Sequence, residues 1–268
     1  MRFTKGHGTA NDFVLVPDPD GALALTDAFV RAVCDRRTGI GGDGILRVVR
    51  TACVPDYAHL AADAEWFMDY RNADGGAVEM CGNGVRVFAR YLAARGWATD
   101  DRLPVATRDG VKHVTLDDDG RVTVDMGPPS FDGTAPEGAT YVSMGNPHVV
   151  FFVPDVGDAP VRTDGPRIEA ATPGGTNVEY AAVTYDDALA MRVWERGVGE
   201  TMSCGTGACA VAVAAARQGL AGQRVEVAVP GGLLDVAWDG ADGSSVFLTG
   251  PAVLVADGDL RDEWLALL

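Results

Sequence analysis

The chain has 268 residues, of which 47% are hydrophobic and 22% are charged, a composition typical of a globular protein with a substantial core. Its 22 Lys and Arg residues are outnumbered by 38 Asp and Glu residues, which gives a formal net charge of −16. An acidic surface repels the phosphates of nucleic acids and anionic lipids, so we expect neither nucleic acid nor a membrane as a partner. The N-terminus shows no signal-peptide pattern and no apolar run could span a bilayer, so we expect a cytoplasmic protein.

The first half begins with a turn and a strand, and less regular segments follow. Residues 8–18 (GTANDFVLVPD) form a polar turn and then an apolar run, which predicts a strand. The glycine-rich run at 39–44 (GIGGDG) lacks the Gly-Lys-Ser/Thr ending of a phosphate loop, so we expect no nucleotide site there. Residues 54–63 carry no periodic pattern, and we expect an irregular loop.

A cysteine framed by glycines, at 80–84 (MCGNG), precedes the first predicted helix. The apolar residues Val85, Phe88 and Leu92 recur three or four positions apart, which favours a helix packed on one face. Gly96 supplies the expected end of that helix.

A change of domain is predicted near the middle of the chain. Residues 121–126 (RVTVDM) alternate polar and apolar side chains, which predicts a strand, and a cluster of turn residues follows at 127–130 (GPPS). We therefore expect an N-terminal domain at 1–127 and a C-terminal domain at 128–268, with the last residues able to pack back on the first domain.

The second half repeats the pattern of the first. Residues 145–155 (GNPHVVFFVPD) again give a polar turn with Asn, an apolar run and Pro-Asp, and residues 203–207 (SCGTG) again frame a cysteine with small residues. Residues 208–216 are apolar on every side of a helix, which is typical of a buried helix, and Gly219 is its expected end. We interpret the chain as two homologous halves, each with one central helix.

Short strands complete the second half. Residues 225–229 and 233–238 flank the turn 230–232 (PGG), which predicts a hairpin, and 246–248 and 252–255 are further strand-like runs. The expected fold is α+β, with two pseudo-symmetric homologous domains. Each domain should be a strand-rich sheet wrapped around its central helix, and the active site should lie in the cleft between them.

The five cysteines are scattered along the chain, at Cys34, Cys53, Cys81, Cys204 and Cys209. An odd count, without a Cys-x-x-Cys pair or a nearby histidine, argues against a disulfide framework and against a zinc site. We expect free thiols. Cys34, Cys53 and Cys209 lack the glycine frame, so we expect them to be structural.

The two glycine-framed cysteines, Cys81 and Cys204, lie where a turn enters a helix. The first N–H groups of a helix lack intrahelical partners and the helix dipole is positive there, so the pKa of a thiol should fall toward neutrality. The same N–H groups can bind a substrate carboxylate. Two thiols on opposite sides of a ligand suit inversion of a stereocentre, because one removes a proton from carbon while the other delivers a proton to the opposite face.

Other polar residues fit a ligand that carries both ammonium and carboxylate groups. Glu195 could accept an ammonium, and Arg196 could bind a carboxylate with two parallel hydrogen bonds. A surface salt bridge between these two residues is the competing interpretation. Four asparagines occupy turn-like contexts, where Asn is also common for local reasons: Asn11, Asn72, Asn146 and Asn177.

With these residues assembled, the sequence resembles the diaminopimelate epimerase family over nearly its full length. The resemblance rests on seven segments in the same order: 5–13, 70–75, 80–86, 145–148, 177–179, 195–201 and 203–207. It implies interconversion of LL- and meso-diaminopimelate, a step toward lysine and cell-wall precursors, without pyridoxal phosphate or metal. It also implies a homodimer whose domains close around the substrate.

The resemblance further implies roles for individual residues. Cys81 and Cys204 match the two catalytic cysteines, and His148 matches a histidine that supports these bases together with Glu195. The implied substrate-binding residues are Asn11, Asn72, Asn146, Asn177, Glu195 and Arg196, with the N–H groups of Gly82, Asn83, Gly205 and Thr206 around the α-carboxylate. Many family members carry a glutamine where this chain has Gly44, so the contribution of that side chain must come from elsewhere or be absent.

Three other functions compete with this interpretation. A proline or hydroxyproline racemase would use the same two thiols, but the Glu195-Arg196 pair and the asparagines suit a second amino-carboxylate end, which proline does not have. A thiol redox or metal-binding protein would need Cys-x-x-Cys spacing or nearby histidine ligands. A catalytically inactive binding protein would not need two intact, glycine-framed cysteines.

Overall fold

The computed structural model describes residues 1–268, and the chain forms two compact units. The first unit consists of Met1–Val124 together with Pro251–Leu268, and the second of Asp125–Gly250. The C-terminal segment therefore packs with the first unit, where its strand pairs with the first strand of the chain. None of the helices is both long and apolar enough to cross a lipid bilayer.

The first unit contains seven strands and two helices from the N-terminal part of the chain. The C-terminal strand adds to one edge of its sheet. Its elements are β1 (Arg2–Gly8), β2 (Asn11–Pro17), α1 (Asp27–Cys34), β3 (Gly44–Arg50), β4 (Trp66–Asn72), α2 (Gly82–Ala94), β5 (Arg102–Thr107), β6 (Gly110–Leu116) and β7 (Arg121–Asp125). A short 3-10 turn, Pro55–Leu60, lies in the segment 54–63 for which an irregular loop was predicted, and a second one, Thr51–Cys53, precedes it.

The second unit contains the same kinds of element in the same order, with one extra short strand. Its elements are β8 (Ala139–Ser143), β9 (Pro147–Phe152), α3 (Val161–Ala171), β10 (Asn177–Tyr185), β11 (Ala188–Glu195), β12 (Gly199–Thr201), α4 (Gly205–Arg217), β13 (Arg224–Val229), β14 (Gly232–Ala237) and β15 (Phe247–Pro251). The chain then ends in β16 (Val253–Asp259), which pairs with β1, and α5 (Asp262–Leu265).

The two units share one sheet topology. In the first, strands β1 to β7 neighbour one another in chain order, with parallel pairs only at β2–β3 and β4–β5. In the second, the equivalent order is β8, β9, β10, β11, β13, β14, β15, with parallel pairs only at β9–β10 and β11–β13. A parallel pair needs a crossover connection, and a helix supplies each of the four crossovers. The predicted α+β fold with two pseudo-symmetric halves is confirmed.

Each sheet curves around one central helix of 13 residues, as predicted. Helix α2 packs against β1 to β6 and β16, and its buried face includes Val85, Phe88 and Leu92. Helix α4 packs against β8 to β11, β13 and β14, and small side chains from Ala208 to Ala215 are buried all round it. Both helices end in a left-handed glycine, Gly96 and Gly219, where a side chain would strain the backbone.

The prediction of a single helix per half is wrong, because α1 and α3 are additional helices. Helix α1 has only 8 residues, and the Thr26 hydroxyl caps it by accepting the Phe29 N–H at 3.1 Å. Helix α3 contains Gly165 and Pro166, two residues that oppose helix formation. The glycine is required because a Cβ there would lie 2.5 Å from the side chain of Trp194. Tertiary packing therefore overrides the local sequence preference.

Candidate active site

Cys81 and Cys204 occupy equivalent positions, each as the residue that caps the N-terminus of a central helix. Both have extended backbone angles, and the first helical residue follows directly. The Cys81 Sγ accepts the Gly84 N–H at 3.4 Å, and the Cys204 Sγ accepts the Gly207 N–H at 3.3 Å. Each sulfur is thus held by the third N–H of its own helix, which favours negative charge on sulfur.

Burial outweighs this effect at Cys204. The side chain is only 5% exposed, and burial raises the pKa of its thiol well above the ordinary value. The carboxylates of Glu195 and Glu179 raise the pKa further, while hydrogen bonds from Thr206 and Gly207 oppose the rise. The prediction that a helix N-terminus lowers the thiol pKa is therefore wrong for Cys204, where burial and the nearby carboxylates raise it.

Glu195 lies at the end of β11 beside Cys204. Its carboxylate accepts the Thr201 hydroxyl and shares a hydrogen bond with the Cys204 side chain. Burial raises the pKa of the Glu195 carboxyl, and the nearby carboxylate of Glu179 raises it further, although these two hydrogen bonds and His148 work in the opposite direction. A carboxyl group with a raised pKa, in contact with a thiol, can exchange a proton with it.

His148 and Glu179 form a buried pair next to this group. The His148 Nδ1 lies 2.6 Å from the Glu179 Oε1, and both side chains are 0% exposed. The other carboxylate oxygen of Glu179 has no hydrogen-bond partner in the chain. The resemblance implies that His148 supports the cysteines together with Glu195, and the direct contact of His148 is with Glu179.

Sequence reasoning missed Glu179, although a signal was present. A carboxylate inside the apolar strand run 177–183 (NVEYAAV) is out of place unless it has a buried partner. That partner, His148, is adjacent through the parallel pairing of β9 with β10, which a linear reading of the sequence does not reveal.

A chain of polar contacts connects this pair to the thiol. The His148 Nε2 lies 3.0 Å from the Asn146 Oδ1, the Asn146 Nδ2 donates to the Thr206 hydroxyl at 3.4 Å, and that hydroxyl lies 3.4 Å from the Cys204 Sγ. The predicted residues His148, Asn146, Thr206 and Cys204 are therefore brought together within the second unit. A displacement of the Glu179 side chain can therefore alter the position of the Cys204 sulfur through these contacts.

Asn177 and Arg196 are also close to each other in the second unit. The Asn177 side chain accepts the Arg196 backbone N–H at 3.0 Å and donates to the Pro147 carbonyl at 2.9 Å, so it ties together the ends of neighbouring strands. The exposed Arg196 guanidinium donates to the Gly174 carbonyl at 3.2 Å. No salt bridge joins Arg196 to Glu195, so the competing salt-bridge interpretation of this pair is wrong.

In the first unit, a buried arginine connects the Asn11 turn to the helix that begins after Cys81. Arg86 is 0% exposed and donates to the Thr9 hydroxyl at 3.2 Å and to the Asn83 Oδ1 at 2.9 Å. Thr9 belongs to the tight turn between β1 and β2 and has a left-handed φ of 49°, a conformation that a β-branched residue rarely adopts. Arg86 thereby holds a strained turn in place.

Two asparagines of this unit differ in their hydrogen bonding. The Asn83 side chain is turned into the protein, where its Oδ1 accepts a hydrogen bond from Arg86. The Asn11 Oδ1 is buried and has no hydrogen-bond partner in the chain. An unpaired buried acceptor is costly, and a ligand donor would satisfy it.

Comparisons with known proteins match this architecture. The family model described as diaminopimelate epimerase matches residues 3–131 and 140–255. The diaminopimelate epimerase of Streptomyces coelicolor is 52% identical over 282 residues, covering 99% of this chain and 97% of the relative. That of Thermobifida fusca is 48% identical over 274 residues, covering 97% and 98%.

Solved structures show the same fold at low sequence identity. A Bacillus anthracis phenazine biosynthesis protein of the PhzF family is 16% identical, with a TM-score of 0.71 and coverage of 97% of this chain and 99% of that chain. A probable proline racemase from Agrobacterium radiobacter is 14% identical, with a TM-score of 0.72 and coverage of 97% and 93%. These two structures support the fold, while the family model and the close relatives go further: the chain belongs to the diaminopimelate epimerase family.

Proposed function

We propose that this protein is an isomerase that epimerises LL-diaminopimelate to meso-diaminopimelate, in the biosynthesis of lysine and cell-wall precursors. The observation that carries the proposal is the pair of equivalent cysteines, each capping a central helix in one half of a chain that belongs to this family. Inversion at one carbon needs a base and an acid, and the two thiols supply one of each.

In the proposed reaction, Cys81 and Cys204 act on opposite faces of the substrate α-carbon. The raised pKa of Cys204 favours its protonated form, so we assign Cys204 as the acid and Cys81 as the base that removes the α-proton in that turnover. The electron pair left on carbon then takes the proton of Cys204 on the other face. Cys81 ends as the thiol and Cys204 as the thiolate, so the next turnover in this direction needs the two protons to be redistributed.

The Glu195 carboxyl and its neighbours complete the proposed proton chemistry. The hydrogen bond between Glu195 and Cys204 gives the thiol a partner with which it can exchange a proton. His148, which is paired with Glu179, supports Glu195 by opposing the rise of its pKa. These groups need no pyridoxal phosphate and no metal, because helix N–H groups stabilise the charge that develops on the substrate.

Binding of the substrate is assigned to polar groups of both units. The α-carboxylate would accept hydrogen bonds from the N–H groups of Gly82, Asn83, Gly205 and Thr206, which lie at the starts of α2 and α4. The remaining proposed contacts are the side chains of Asn11, Asn72, Asn146, Asn177, Glu195 and Arg196. The exposed guanidinium of Arg196 suits a carboxylate at the far end of the ligand.

The test is turnover of LL-diaminopimelate by the purified, reduced protein, with L-proline and trans-4-hydroxy-L-proline as parallel substrates. We expect rapid formation of meso-diaminopimelate and no racemisation of either proline substrate. Turnover of a proline substrate alone would replace the proposal by the racemase alternative, for which structural neighbours supply only a shared fold.

We also propose a homodimer located in the cytoplasm. The sheet of the first unit ends at β16, where Val253 and Val255 are 42% and 59% exposed, and an exposed edge strand with apolar side chains is commonly covered by another chain. Sedimentation analysis of the purified protein would give twice the mass of one chain. A reducing compartment keeps the two proposed catalytic thiols in their active form.

A further inference from the structure

Gly44 lies directly opposite Asn72 in the antiparallel pairing of β3 with β4. Residues that face each other across two strands point to the same side of the sheet, and so do residues two positions apart on one strand. Asn72 and Tyr70 therefore share one face of the sheet with the position of Gly44. On that face, position 44 contributes no side chain.

The ring of Tyr70 fills the space beside Gly44. A Cβ at position 44 would lie 2.6 Å from the Tyr70 Cε2 and 2.4 Å from the Arg71 carbonyl oxygen, closer than atoms can approach. The ring is held from another direction by Phe13, whose ring meets it edge-on with centroids 5.7 Å apart. Tyr70 is only 6% exposed, so it cannot move aside into solvent.

The hydroxyl of this ring determines how the Asn72 amide is oriented. It donates a hydrogen bond to the Asn72 Oδ1 at 2.6 Å. The Asn72 backbone N–H is used as well, because it donates to the Gly76 carbonyl at 2.9 Å. The Asn72 Nδ2 makes no hydrogen bond within the chain, so both of its N–H groups remain for a ligand. An amide whose oxygen is fixed in this way offers donors to an anionic group.

We propose that Gly44 and Tyr70 together fix the Asn72 amide with its NH₂ group toward a carboxylate of the substrate, which makes Tyr70 a positioning residue. This inference rests on the proposed function, because Asn72 is one of the proposed substrate contacts. The Tyr70 ring occupies the space beside position 44, and the oriented Asn72 amide supplies a polar contact next to it.

The first test is Tyr70→Phe, which removes the hydroxyl and keeps the ring. Losing one hydrogen bond that orients a ligand contact should lower kcat/KM for LL-diaminopimelate about three- to tenfold, mainly through a higher KM. Tyr91→Phe is the matched control, because Tyr91 is another buried tyrosine of the first unit and its hydroxyl interacts with Arg95 instead. The control should keep wild-type kinetics. An unchanged KM in Tyr70→Phe, with only a lower melting temperature, would mean that the hydroxyl is merely structural.

The second test asks whether Tyr70 acts through Asn72. In an Asn72→Ala background, removing the Tyr70 hydroxyl should have no further effect, since the group that it orients is gone. The same comparison is made by calorimetric binding of meso-diaminopimelate, which does not depend on turnover. An equal loss in both backgrounds would overturn the inference. Absence of turnover and binding in the wild-type protein would instead refute the proposed function, so the two failures are distinguishable.

Discussion

At the scale of single residues, Cys204 shows which of two opposing effects determines the state of a thiol. A helix N-terminus stabilises a nearby negative charge by up to about 2 kcal/mol in partly buried positions, whereas moving a charge into the protein interior costs several kcal/mol. Cys204 is buried and has Glu195 and Glu179 nearby, so its pKa rises. The motif predicts the position of the sulfur on the helix, but burial depends on contacts far away in sequence.

This balance predicts what removal of the Glu195 charge will do. The carboxylate of Glu195 raises the pKa of the Cys204 thiol, so Glu195→Gln should lower the pH at which the thiolate forms. The measurement is ultraviolet absorbance of thiolate against pH in a Cys81→Ala background, with the same protein carrying Cys204→Ser subtracted. Thiolate formation at unchanged or higher pH would show that Glu195 is not charged beside the sulfur.

The residues that sequence reasoning missed have a common cause. Glu179 contacts His148 and Tyr70 contacts Asn72, and these contacts depend on strand register and ring packing. Cys81 and Cys204, in contrast, are visible in the sequence because the glycine frame recurs and local chemistry explains it. The two capping cysteines were therefore easier to predict than residues whose contacts depend on the folded sheet.

At the scale of elements, the two central helices both have glycine as their third residue, but the surroundings of that glycine differ. Gly84 and Gly207 both donate their N–H to the preceding cysteine. A Cβ at Gly84 would meet its nearest neighbours at 3.4 Å, which is ordinary contact, whereas one at Gly207 would lie 2.8 Å from the Glu179 carboxylate. The same substitution should therefore have opposite consequences in the two helices.

Gly84→Ala is expected to keep activity within about twofold and to stabilise the protein slightly, because alanine favours a helix over glycine by roughly 0.5–1 kcal/mol. Gly207→Ala should displace Glu179 and lower kcat by about tenfold or more, since small displacements of catalytic groups are costly. Steady-state kinetics and melting temperatures of the two variants make each the control of the other. Equal effects of the two substitutions would contradict the assigned role of the Glu179 contact.

The elements also show where sequence patterns are informative. The central helices and the hairpin β13–β14 were predicted because long apolar periodicity and a Pro-Gly-Gly turn are strong local signals. Helices α1 and α3 were missed because one is short and the other contains Gly165 and Pro166. These two helices form only where packing against the sheet compensates for weak local preference.

At the scale of the whole molecule, the repeated topology explains why a cysteine caps a central helix in each unit. The same strand order, the same pair of parallel crossovers and the same helix cap occur in each unit. We propose that the halves 1–127 and 128–268 arose by duplication, with each cysteine retained as one partner of an acid–base pair. The two halves differ around their cysteines, because Glu195 and Glu179 lie near Cys204 and raise its pKa.

A two-base reaction makes a specific prediction for epimerisation in heavy water. One thiolate takes the protium from the α-carbon of LL-diaminopimelate, and the opposite thiol, already exchanged with solvent, delivers deuterium. The first meso product should therefore carry deuterium at the inverted carbon, while unreacted substrate stays largely protiated because a returning carbanion recaptures the proton just removed. Mass spectrometry of product and residual substrate from an early quench gives both values.

A single base serving both faces would give a different isotope pattern, since part of the original protium would return to the inverted carbon. Substantial protium in the first product would therefore refute the assignment of separate roles to Cys81 and Cys204. Cys81→Ala and Cys204→Ala should each lose epimerisation by several orders of magnitude, because each direction needs an acid and a base. Cys53→Ala is the matched control: this cysteine is exposed and outside the proposed site, so the variant should show wild-type turnover and the same deuterium content in the product.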